Sequence, residues 1–292
     1  MSMKAARPDF PYGLAALAGE YDGLLVDVWG VIHNGVTAFE AASDALVRFR
    51  RETGGAVVLV TNAPRPYPPI EQQLAELGVP DEAFDAVVTS GDVTRDLLAD
   101  LGPKALYHIG PERDLSLYDG LKARLVEPDK AQAISCTGLF DDTVETPEHY
   151  RDQLGAFATR GLPFISANPD IVVQRGDSRI FCAGSLAELY EELGGTVHQA
   201  GKPHPPIYRL ALKRLAARLG REIPTERVLA IGDGLNTDIR GAVGQGLSAL
   251  LITAGIHEAE FGPPGAPDPD RVGARLAAEG LAARAAMPRL AW

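Results

Sequence analysis

Asp27 closes the apolar run Leu24-Leu25-Val26, Thr61-Asn62 close the run from Ala56 to Val60, and Asp233 follows Val228 to Ile231 after one glycine. Asp238 lies a short loop beyond Asp233, and Lys202 sits between Gly201 and Pro203. A carboxylate ending a strand that is buried on both faces is a charged group delivered to a sheet edge. Two such carboxylates on neighbouring strands can hold Mg²⁺, which prefers oxygen, takes few protein ligands and keeps several waters. A hydroxyl, an ammonium and helix N-terminal amides are the groups that hold a phosphate. With a metal neutralising charge, a carboxylate can attack phosphorus and form an aspartyl-phosphate, which makes Asp27 the candidate nucleophile.

Taken singly, each residue has a plainer use. Asp27 could be a turn or capping residue, Thr61 a strand-end cap, Lys202 a solvated surface lysine, and Asp238 a carboxylate stabilising its own helix N-terminus. Taken together, four separated segments deliver members of one small chemical kit, and that coincidence favours a common site.

The elements that must position these residues alternate strand and helix. After Asp27, Gly30 permits a sharp backbone excursion, and Asn34-Gly35 is expected to supply the positive φ angles of a tight hairpin, giving a short flap that carries His33. Phe39, Ala42, Leu46 and Phe49 recur at helical spacing and Thr53-Gly54-Gly55 stops the pattern, so a crossover helix should lead to a parallel strand over 56–62. That connection sets Thr61 beside Asp27 at one sheet edge. Pro64 to Pro69 reads as a proline-rich turn before a helix through Leu74 and Leu77. Ala86 to Ser90 reads as a third strand, followed by a helix through Leu97, Leu98 and Leu101.

Between about 104 and 193 the apolar runs become short and are separated by Gly, Pro and Asp turns, as expected of a separate inserted α/β module. The first pattern returns with a helix along Ile207, Leu210, Ala211, Leu215 and Leu219, with Pro205 and Pro206 in its tolerant first turn, so Lys202 stands just ahead of a helix N-terminus. Strands at 228–233 and 249–253 follow, the second expected to close the core, then a loop from Gly262 to Pro269 and a terminal helix. The expected division is a core of 1–89 and 196–292 with an inserted module of 90–195.

Composition narrows the function classes. With 46% hydrophobic and 23% charged residues the chain is an ordinary globular one, and no apolar run approaches the ~20 residues of a membrane helix. A net charge of −11 without a Lys/Arg block argues against nucleic acid as a partner. Residues 1–20 lack a basic start followed by an apolar segment, and Cys136 and Cys182 make neither a disulfide framework nor a metal spacing, so the cytoplasm is the expected location. A homodimer is compatible with the chain, whose oligomeric state the sequence does not fix.

The order Asp27-Val28-Trp29-Gly30-Val31, Thr61-Asn62, Lys202-Pro203 and Gly232-Asp233-Gly234-Leu235-Asn236-Thr237-Asp238 resembles the four motifs of the haloacid dehalogenase (HAD) superfamily. The chain is most similar to subclass IIA, the NagD-like sugar or nucleotide phosphatases, and the resemblance extends from about residue 20 onward, including Ala167-Asn168-Pro169-Asp170. It implies a Rossmann-like parallel-sheet core with an inserted C2-type α/β cap. It also implies Asp27 as nucleophile and Mg²⁺ ligand, the carbonyl of Trp29 and Asp233 as further ligands, and Asp238 supporting the metal shell. Thr61, Asn62 and Lys202 would hold the phosphoryl group of a small phosphorylated metabolite.

One position departs from the pattern. The family's phosphatases usually carry a second Asp two residues after the nucleophile as general acid and base, and this chain has Trp29. Such help is worth roughly 10² to 10⁴ in rate. His33, on the same flap, is the nearest titratable candidate to replace it. The loss of that Asp also keeps two alternatives open: phosphoryl transfer or C–P or C–halogen cleavage on the same scaffold, and a catalytically weakened phosphate-ligand-binding protein.

Overall fold

The computed structural model describes residues 7–175, 178–263 and 265–292. The chain divides into two compact units. One runs to Thr61 and adds Glu71–Val88 and Tyr208–Trp292; the other comprises Asn62–Ile70 and Thr89–Ile207.

The first unit is built on a six-stranded sheet of β1 (Gly23–Asp27), β2 (Ala56–Thr61), β3 (Ala86–Thr89), β11 (Val228–Gly232), β12 (Ser248–Ile252) and β13 (Ala285–Met287), in the order β13-β12-β11-β1-β2-β3. β1 pairs parallel with β2 and β11, β11 with β12, and β12 with β13. Every residue of β1, β2 and β11 is buried, so these strands read as continuous apolar runs rather than alternating ones. The helix Glu40–Thr53 buries Ala42, Ala45, Leu46 and Phe49 along one stripe and stops at Gly54, whose φ of 72° is the left-handed conformation of a helix end.

The second unit carries β4 (Ala105–Ile109), β5 (Arg124–Leu125), β6 (Ala133–Cys136), β7 (Pro163–Ser166) and β10 (Thr196–Gln199) in a parallel sheet of order β10-β7-β6-β4-β5. β8 (Val172–Arg175) and β9 (Ser178–Phe181) pair antiparallel as a separate two-stranded sheet. Alternation along the strands gives this sheet two apolar faces. Ile109, Ile134, Cys136 and Phe164 pack with Leu154, Phe157, Leu186 and Tyr190 from the helices Arg151–Thr159 and Ala183–Glu192. Leu106, Ala133 and Ile165 pack on the other face with Leu98, Leu117 and Tyr118.

Three local expectations change. The core does not close at 249–253: β13 pairs beyond it, with Leu250 opposite Ala285 and Asp9 bridging the same strand, and its three residues carry no β-branched side chain to mark them as a strand. The helix after β2 starts at Tyr67, so Pro68 and Pro69 lie in its first turn, where a missing N–H costs nothing. Of the Asn34-Gly35 pair only Gly35 takes a positive φ (87°); Asn34 acts instead through Oδ1, which accepts the N–H groups of Val36 (3.0 Å) and Thr37 (2.8 Å). Residues 62–70 and 196–207 group with the second unit, because β10 pairs with β7 and Asn62 is hydrogen-bonded to Asp170 and Lys202.

Candidate active site

Chain order in the first sheet reverses between β1 and β11: one half proceeds outward through β2 and β3, the other through β12 and β13. In open α/β sheets, ligands bind beyond the carboxyl ends of the strands at such a reversal. Asp27 is the last residue of β1 and Asp233 the first after β11, one on each side of it. Asp27 pairs in register with Val60, which puts Thr61 at the same edge.

Asp27, Asp233 and Asp238 are all buried, and each offers a carboxylate oxygen within 4.8 Å of the others. Ionised carboxylates at that spacing repel one another by on the order of 3 kcal/mol per pair at an effective dielectric constant of ~20. Three converging oxygens suit a hard divalent cation, so the donor set fits Mg²⁺.

The supporting loops hold these carboxylates closely. Asp233 Oδ2 accepts the Ile256 N–H at 3.0 Å. Two glycines flank it: a Cβ on Gly30 would lie 2.2 Å from Asp233 Oδ2, and one on Gly255 would lie 1.9 Å from the same oxygen. Gly30 also takes a φ of 77°. Asp238 Oδ2 accepts the Gly234 N–H at 3.0 Å, and the turn Leu235–Ile239 is wide, with the Ile239 N–H reaching the Gly234 carbonyl. Tyr208 Oη donates to the carbonyls of Thr237 (3.3 Å) and Asp238 (3.4 Å), tying that turn to its helix. Sequence reasoning misses Gly255 and Tyr208. Gly255 follows the end of β12 as the other site residues follow their strands, whereas Tyr208, between Ile207 and Leu210, reads only as a helix-core residue.

Trp29 begins a tight loop in which the Gly30 N–H donates to the His33 carbonyl and the Ile32 N–H to the Val28 carbonyl, each at 2.8 Å. Its indole is 37% exposed and meets the His33 ring edge-on, with centroids 5.2 Å apart. Gly35 takes a φ of 87°, which disfavours a side chain, and a Cβ there would also come within 2.4 Å of that indole. His33 is buried at 1% exposure, its Nδ1 accepts the Gly35 N–H at 2.9 Å, and burial pushes its pKa down to about 4. The imidazole therefore serves as a neutral acceptor that closes the turn.

In the second unit, Asn62 and Lys202 come together. Asn62 Oδ1 accepts the Lys202 N–H at 2.7 Å and Asn62 Nδ2 donates to the Lys202 carbonyl at 3.2 Å. Both residues are buried.

Comparison with known proteins identifies the family. A family model of haloacid dehalogenase-like hydrolases matches residues 24–123, and a HAD-hydrolase-like model matches residues 199–278. The crystal structure of a haloacid dehalogenase-like hydrolase from Brucella suis 1330 is 47% identical, covers 96% of this chain and 100% of its own, and superposes with a TM-score of 0.86. The ribonucleotide monophosphatase NagD of Escherichia coli K12 is 27% identical over 240 residues, 80% of this chain and 88% of NagD. The glycerol phosphate phosphatase of Mycobacterium tuberculosis, solved in complex with calcium, is 27% identical over 82% of this chain and 68% of its own, with a TM-score of 0.63. This chain belongs to the haloacid dehalogenase-like family of hydrolases, on its NagD-like branch.

Proposed function

We propose that the protein is a Mg²⁺-dependent phosphohydrolase that cleaves a small phosphorylated metabolite, a sugar phosphate or nucleotide, through an aspartyl-phosphate on Asp27. The observation that carries this reading is the convergence of Asp27, Asp233 and Asp238 at the reversal point of a parallel sheet. The named relatives, a ribonucleotide monophosphatase and a glycerol phosphate phosphatase, support the same class of substrate.

Asp27, Asp233 and the backbone carbonyl of Trp29 would hold the metal, with Asp238 supporting the shell. When bound, the ion screens the negative charge of the phosphoryl group and of the carboxylates around it. Asp27 attacks phosphorus, a new P–O bond forms to its carboxylate, and the bond to the leaving oxygen breaks. Thr61 donates to the phosphoryl oxygens and Lys202 balances their charge. Water then cleaves the acyl phosphate and restores Asp27. The second unit acts as the cap that chooses the substrate, and the protein works in the cytoplasm.

Proton supply to the leaving group is where this chain departs from its family. The Trp29 indole has no proton that titrates near neutrality, and His33 is committed to the turn through Nδ1. The leaving oxygen therefore takes its proton from water, which favours esters whose leaving groups are weakly basic.

Phosphate release from a panel of phosphorylated metabolites and an aryl phosphate, with Mg²⁺ and with excess EDTA, tests the reading. Release that requires Mg²⁺ supports it. No release from any member, or release unchanged by EDTA, would sink it.

A further inference from the structure

Asn62 uses both ends of its side-chain amide on one residue, accepting from the Lys202 N–H at 2.7 Å and donating to the Lys202 carbonyl at 3.2 Å. The clamp works only if oxygen and nitrogen are the right way round, and the two ends of an amide are nearly the same shape. Asp170 settles the choice. Its Oδ1 accepts from Asn62 Nδ2 at 2.9 Å, and a carboxylate can only accept, so the nitrogen must face it.

Asp170 is itself fixed through its backbone. Its N–H donates to Asn168 Oδ1 at 3.0 Å, and its carbonyl accepts the Gly184 N–H at 3.1 Å. The Asn168 carbonyl in turn accepts from Ser166 Oγ at 3.1 Å. Two glycines allow the close approach. A Cβ on Gly184 would lie 2.3 Å from the Pro169 carbonyl oxygen, and one on Gly201 would lie 2.3 Å from Asn62 Oδ1 and 2.7 Å from Pro169 Cδ. Three segments distant in sequence thus close on one another, with no room for a Cβ at Gly184 or Gly201.

We infer that Asp170 is a positioning residue: acting through Asn62, it holds the Lys202 main chain in the place from which the lysine engages a phosphoryl group. The inference rests on the role of Lys202 proposed above. A lysine carries its charge on a flexible four-carbon stem, so anchoring both the N–H and the carbonyl at its root removes motion that would otherwise be lost on binding phosphate.

The test compares Asp170→Ala, Asp170→Asn, Asn62→Asp and the double variant Asn62→Asp/Asp170→Asn. Readouts are calorimetric affinity for inorganic phosphate with Mg²⁺, KM and kcat for an aryl phosphate, and melting temperature. Asp170→Ala should weaken phosphate binding and raise KM about tenfold, the scale of one charge-assisted hydrogen bond. Asp170→Asn still offers an oxygen to Asn62 and should stay within about threefold of wild type, because the acceptor survives. Asn62→Asp sets two carboxylates face to face and should be worst, and adding Asp170→Asn should recover affinity several-fold, a coupling that a merely structural role would not produce.

Folded Asp170→Ala that binds phosphate as wild type does, or a double variant no better than Asn62→Asp, would overturn the inference; if Asn62→Asp does not fold, the two Asp170 variants decide it. A wild type that turns over no phosphate ester but still binds inorganic phosphate refutes the hydrolase reading and leaves the calorimetry to judge Asp170. A wild type that binds no phosphate at all overturns the inference.

Discussion

Gly30 and Asp233 are packed so closely that no Cβ fits between them: one added to Gly30 would lie 2.2 Å from Oδ2 of the carboxylate. The loop after β1 and the carboxylate after β11 are therefore set against each other by backbone. Gly30→Ala adds both that clash and an unfavourable positive φ. It should lower Mg²⁺ affinity and cut turnover by about 100-fold or more, because a misplacement of about 1 Å at a catalytic group is worth that much. Gly255→Ala should act in the same direction through the same oxygen. Titration of activity against Mg²⁺ measures both, and normal metal dependence in both variants would show that the loop yields.

Asp27→Asn should abolish turnover while the fold is kept, since the amide is a poor nucleophile of similar shape. Asp233→Asn should lose activity that high Mg²⁺ partly restores. Activity of Asp27→Asn within a few-fold of wild type, or an Asp233→Asn defect indifferent to Mg²⁺, would remove those residues from their assigned roles.

Trp29→Asp should accelerate esters with poor leaving groups more than aryl phosphates, by up to roughly 10²-fold, the lower range of general acid help. His33 gives a contrasting expectation because its Nδ1 is an acceptor for Gly35 N–H. His33→Asn can keep an acceptor and should retain most activity, whereas His33→Phe should loosen the loop and lose rate equally for good and poor leaving groups. A loss in His33→Asn confined to poor leaving groups would return His33 to proton transfer.

Asp22 gives a pH prediction outside the site. Hydrogen bonds from Arg227 at 2.5 Å and Arg221 at 2.7 Å hold its carboxyl pKa down at about 2. A depressed folded pKa contributes stability above the unfolded value of about 4 and loses it as pH falls through the folded value. Wild type should therefore lose about 1 kcal/mol from this group between about pH 4 and pH 2, a figure reduced for the exposure of both arginines. Denaturant melts of wild type and Arg221→Leu/Arg227→Leu across that range should differ in slope.

Strand-end carboxylates were legible in the sequence because a buried parallel strand has no polar residue until it leaves the core, so Asp27 and Asp233 stand out at the ends of Leu24-Leu25-Val26 and Val228 to Ile231. Contacts that depend on folding back were not legible. Nothing local marks Gly255 as the neighbour of Asp233, or Asp170 as the partner of Asn62, 108 residues earlier. β13 was hidden for a different reason: three residues, two of them alanine, give neither period nor propensity, and only pairing with β12 makes them a strand. The flap shows propensity failing in detail, since Asn34 supports the turn with its side chain and leaves positive φ to Gly35.

The two sheets differ in when they can be completed during synthesis. All five strands of the second sheet lie between residues 105 and 199, whereas the centre of the first joins β1 to β11, with Asp22 and Arg227 bonded across 205 positions. Domains fold as units while the chain leaves the ribosome N-terminus first. The second sheet thus has its full set of strands while β1 has only β2 beside it and β3 beyond that, and Asp27 is made long before Asp233 and Asp238. A nascent chain carries Asp27 for most of its synthesis without Asp233 and Asp238 beside it, so the three-carboxylate cluster is completed only with the last third of the chain.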